Sequence, residues 1–88
     1  MKIRSVPTDW SITLIWSIPE TMKGSSVLVI RKENGYPQST DDGNVVYLGH
    51  GTKAVDKDLM AGTGYFYRFF LFNSKGEIVG WARYKENT

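Results

Sequence analysis

The chain has 88 residues and a formal net charge of +2, with three tryptophans, five tyrosines, four phenylalanines, one histidine and no cysteine. That length holds one small domain with a thin core, and the lack of cysteine excludes a disulfide framework or a thiolate metal site. The basic residues are scattered, and only Arg31 and Lys32 are adjacent with Glu33 behind them, which argues against nucleic-acid binding.

Residues 2–6 supply a weak first strand, and the N-terminal stretch Met1–Pro7 lacks the apolar run of a signal peptide. Residues 11–18 alternate, with Ile12, Leu14, Trp16 and Ile18 on one face and Ser11, Thr13 and Ser17 on the other. This predicts a half-buried strand that Pro19 ends, because proline cannot donate to a ladder. A loop with Gly24 follows. Residues 27–32, Val-Leu-Val-Ile-Arg-Lys, predict a strand with no clean polar face. Asn34-Gly35 opens a long polar loop through Asn44. Short strands follow at 45–48 and 52–55. Ala61-Gly62-Thr63-Gly64 is a turn, and Tyr65–Phe72 is the strongest strand signal in the chain. Asn73–Gly76 forms a hairpin loop to a last strand over 77–84, and residues 85–88 read as a frayed end or linker. About seven short strands at this spacing predict an antiparallel β-sandwich. No run approaches the ~18 apolar residues of a membrane-spanning helix, so no membrane insertion is expected.

The residues resemble the fibronectin type III module across nearly the whole chain. Trp16 stands in the second strand before a proline turn, where that family keeps a core tryptophan. Leu59-Met60-Ala61-Gly62-Thr63-Gly64-Tyr65 resembles its Leu-x-x-Gly-x-x-Tyr corner. Tyr65, Tyr67 and Phe69 match its alternating inward positions. Residues 31–37 and 42–47 resemble a subtype of bacterial secreted and surface proteins and phage virion proteins. The resemblance implies an all-β, immunoglobulin-like, seven-stranded sandwich spanning residues 1–88, with an ordered core of about 2–84. Trp16, Leu59, Tyr65, Tyr67 and Phe69 would be its structural residues. It also implies an extracellular, cell-surface or virion location. The short loop at 73–76 has no Arg-Gly-Asp, so integrin-type adhesion is not expected.

Chemistry finds little support. His50 lies between glycines, with no motif placing a serine beside it. Asp41-Asp42-Gly43-Asn44 lacks the alternating ligands and closing glutamate of a calcium loop. Gly62-x-Gly64 precedes a strand, so it is not a phosphate loop. No catalytic, metal or cofactor residue is assigned, and the chain is expected not to be an enzyme.

The last two strands carry the functional signal. With Tyr65, Tyr67, Phe69 and Leu71 inward, the pleat sends Phe66, Arg68, Phe70 and Phe72 outward. The family register turns Ile78, Ala82 and Tyr84 inward and Val79, Trp81 and Arg83 outward. Two readings fit that face. The arginines cover the rings by cation–π contact and merely stabilise the sheet. Alternatively, the aromatic and arginine composition marks a protein interface. The expected role is a non-enzymatic spacer or assembly module contacting a protein neighbour, either an adjacent domain, identical subunits or virion and surface components. Glycan binding by the exposed rings, in an accessory module of a glycan-degrading enzyme or a phage tail protein, is the alternative.

Overall fold

The computed structural model describes all 88 residues. Seven strands follow in order: β1 (Ile3–Pro7), β2 (Ile12–Trp16), β3 (Ser26–Lys32), β4 (Asn44–Gly49), β5 (Lys53–Asp56), β6 (Gly64–Phe72) and β7 (Ile78–Asn87). They form two antiparallel sheets, ordered β1-β2-β5 and β4-β3-β6-β7. The only helical element is a single 3-10 turn, Glu20–Met22, in the loop after Pro19. No helix is long and apolar enough to cross a membrane.

The core follows from the period-two patterns. Ile12, Leu14 and Trp16 of β2 face Val27 and Val29 of β3 and Tyr65, Tyr67, Phe69 and Leu71 of β6, all buried in one cluster with Leu59. Trp16 packs edge-on against Tyr47 and Phe69, with ring centroids 5.4 and 5.3 Å apart. Such T-shaped pairs add to the energy of burial alone. The corner before β6 forms as expected. Asp58 and Gly62 take positive φ, and the Met60 amide donates to the Tyr65 hydroxyl at 2.8 Å.

One buried polar cluster was not foreseen. Asp56 ends β5 on the inner face, so its carboxylate lies between the sheets. Arg31 of β3 donates to its Oδ1 and the Tyr67 hydroxyl to its Oδ2, both at 2.7 Å. Burial, and then the Asp56 carboxylate, push the Tyr67 hydroxyl well above its usual pKa, so it remains a donor.

Two expectations need correction. Residues 85–88 are not frayed. β7 runs to Asn87, paired with Gly64, and Thr88 exchanges hydrogen bonds with Thr63. Ile78 is not inward. The β6–β7 register shifts between Leu71 and Phe72, placing Ile78 opposite Phe72 and leaving it exposed. A bulge inverts the parity that alternation assumes.

Candidate functional site: the outer face of the four-stranded sheet

Registers across the four strands put side chains into transverse rows. Leu48 of β4, Leu28 of β3, Phe70 of β6 and Trp81 of β7 are consecutive partners and form one apolar row. The next row is Val45, Ile30, Arg68 and Arg83. Beyond it stand Lys32, Phe66 and Lys85, and on the other side Ser26, Phe72 and Ile78. The apolar run of β3 is thus explained: Val27 and Val29 serve the core, while Leu28 and Ile30 serve this face.

At the row centres Ile30 and Phe70 are buried and Leu28 and Arg68 partly buried, and the row ends are open. Phe70, expected as an exposed contact, is only 5% exposed because Leu28, Trp81 and Arg68 surround it. Leu48 is 66% exposed, Val45 63%, Trp81 55% and Ile78 51%. Val79 occupies the bulge and borders a shallow depression with Met22, Ser25 and Asn73 at the end of the sandwich.

Cations lie over the rings. The Arg68 guanidinium stands 4.2 Å from the Trp81 ring centroid and 5.5 Å from that of Phe70. Arg83 approaches Tyr36 at 5.0 Å and Trp81 at 5.9 Å, and Lys85 covers Phe66 at 5.1 Å. The 33–43 loop completes one margin. Tyr36 packs edge-on against Phe66 at 5.0 Å, Pro37 is fully buried, and Arg68 Nη1 donates to the Pro37 carbonyl at 3.1 Å. Gly43 permits this docking. It takes φ +140°, and a Cβ there would lie 2.5 Å from the Arg31 carbonyl oxygen.

Seven expected residues, Phe66, Arg68, Phe70, Phe72, Val79, Trp81 and Arg83, therefore lie on or beside one surface, but they do not delimit it. Leu48, Val45 and Tyr36 were missed. Val45 and Leu48 sit in Asn-Val-Val-Tyr-Leu-Gly, where a bulge opposite Val29 and Ile30 sends both outward. Alternation alone cannot reveal that. His50 is exposed in its turn. No group of three side chains is placed to hold a metal ion.

Asp42 holds the docked loop. Its carboxylate accepts from the Gln38 amide at 2.8 Å and pairs with Lys32 at 3.0 Å. The Gln38 amide first, and Lys32 second, hold its carboxyl below the usual aspartate range. A carboxyl depressed in the fold contributes stability above its unfolded pKa, about 3.9, and loses it as pH falls through the folded value. The Gln38 amide chemical shift is expected to titrate with a midpoint below that value. A midpoint at or above it refutes the linkage.

No family model and no curated protein matches the chain.

Proposed function

We propose that the chain is a non-enzymatic, fibronectin type III-like assembly module whose outer four-stranded face packs against a protein neighbour. The strand order β1-β2-β5 over β4-β3-β6-β7, the Trp16 core and the Tyr65 corner support the type of fold. A single observation carries the function: the row Leu48-Leu28-Phe70-Trp81 crosses the whole sheet, and its two end residues remain exposed. Internal cover explains the arginines over Trp81 and Phe70, yet it leaves Leu48, Val45 and Ile78 uncovered. Aromatic and aliphatic anchors rimmed by arginine are the composition of interface cores. Arg68 already stacks on Trp81, which favours a protein surface over sugar stacking on that ring. The resemblance points to an extracellular, cell-surface or virion setting.

The test is site-specific photocrosslinking with benzoylphenylalanine in place of Leu48 or Trp81, in the organism's own cells or particles. Both positions are expected to yield a discrete protein adduct, whereas Val55, exposed on the other sheet, yields none. Equal labelling at all three, or labelling of polysaccharide alone, overturns the proposal.

A further inference from the structure

The second large exposed indole lies away from that face. Trp10 sits in the β1–β2 turn and is 67% exposed, beside the 57–63 loop, whose Met60 is 69% exposed. The turn is rigid. The Thr8 hydroxyl oxygen accepts from the amides of Trp10 and Ser11, the Thr8 amide donates to the Ser11 carbonyl, and the Leu59 amide donates to the Trp10 carbonyl at 2.9 Å. Nothing in this bonding requires an indole at position 10, since both Trp10 bonds use backbone atoms. A bulky ring is nevertheless held in water on a preorganised support, which lowers the ordering cost of binding.

The opposite ends of β1 and β2 carry a complementary feature. A depression of about 380 Å³ is lined by Lys2, Ile3, Arg4, Ile15, Trp16 and Ser17. Its floor is apolar and its rim carries Lys2 and Arg4. Asp9 precedes Trp10 in the turn at the other end.

Charge divides the same way along the molecule's 38 Å long axis. The turns 8–11, 33–43 and 57–63 and the end of β7 form one pole, and the turns 17–25, 50–52 and 73–77 form the other. Arg31 is paired with Asp56, and Lys32 with Asp42. Apart from these, the first pole carries Asp9, Glu33, Asp41, Asp58 and Glu86 against Lys57 and Lys85, with the Arg68 and Arg83 side chains reaching its 33–43 loop. The second carries Lys2, Lys23, Lys53 and Lys75 against two glutamates. An acidic pole with an exposed indole and a basic pole with an apolar depression are complementary between copies of one chain.

We propose that the chain associates head to tail with a second copy of itself. Trp10 of one copy enters the Ile3–Ile15–Trp16 depression of the next, with Asp9 against Lys2 and Arg4. Donor and acceptor occupy opposite ends of the same two strands, so the contact is heterologous. Each copy retains a free donor and a free acceptor, and the association grows as an open chain. The surface is separate from the outer face of the four-stranded sheet, so either proposal can fail alone.

Sedimentation velocity on the 88-residue chain from micromolar to millimolar concentration tests this. The weight-average mass is expected to rise without a plateau at the dimer and to fall when salt screens the poles. Trp10→Ser and Arg4→Glu, both at exposed positions, should each weaken association at least tenfold while circular dichroism stays unchanged. A monomer at every concentration overturns the proposal. So does a plateau at dimer, or association that Trp81→Ser abolishes and Trp10→Ser leaves intact.

Discussion

Asp56→Ala is expected to cost about 3–5 kcal/mol in urea unfolding, the range for removing one partner of a buried ion pair. The substitution leaves the Arg31 guanidinium between the sheets with no carboxylate. It also strips the acceptor from the Tyr67 hydroxyl, which is enclosed in the core. An unsatisfied buried hydroxyl alone costs about 1–3 kcal/mol. A domain of this kind has only about 5–15 kcal/mol in total, so the variant should lie near the edge of folding. Replacing both charges with apolar residues, Arg31→Met with Asp56→Leu, should recover much of the loss, because the desolvation of both ions disappears. A double variant as unstable as Asp56→Ala alone would show that the charges are not the source of the cost.

The second large effect is at Trp16. Trp16→Ala should destabilise by about 3–5 kcal/mol, as expected for deleting a buried aromatic side chain. Both edge-on contacts, to Tyr47 and Phe69, vanish, and β2 loses its anchor to the opposite sheet. Trp16→Phe should cost much less. The indole Nε1 is buried with no hydrogen-bond partner, so phenylalanine removes an unsatisfied donor along with the extra volume. Chemical denaturation of the two variants separates these effects. Equal losses would mean that the phenyl ring restores none of the packing against Tyr47 and Phe69.

The parts of this fold that could be read in the residues share one property: an unbroken alternation. Ile12-Thr13-Leu14-Ile15-Trp16 and Tyr65 through Leu71 declare their inner faces, while the Leu59–Tyr65 corner was legible only through its resemblance to a known family motif. The parts that could not be read depend on events that alternation does not encode. Bulges at Val29/Ile30 and Leu71/Phe72 reverse which side chains face out, and this misplaced Ile78 and hid Val45 and Leu48. In Lys-Ala-Val-Asp the polarity runs backwards: Val55 is exposed and Asp56 is buried, because Arg31, 25 residues earlier, pays for the carboxylate. The candidate face was half legible for the same reasons. Its β6 rings followed from the pleat and Trp81 of β7 from the family register, but the burial of Phe70 and the docking of Pro37 required the folded loop.

The chain enters at one pole, at Ile3, and leaves at the other, at Asn87. Those two strands belong to different sheets, β1 joined by five residue pairs to β2 and β7 by nine to β6. Tension applied between the ends therefore runs along the strands and perpendicular to the ladder bonds, which share the load instead of opening one at a time. The side-chain links from Ser5 to Tyr84 at 2.6 Å and to Glu86 at 2.9 Å tie the two loaded strands directly across the sandwich. Under force the five-pair β1–β2 ladder is the mechanical fuse, and the nine-pair ladder carrying the aromatic face is the last to shear.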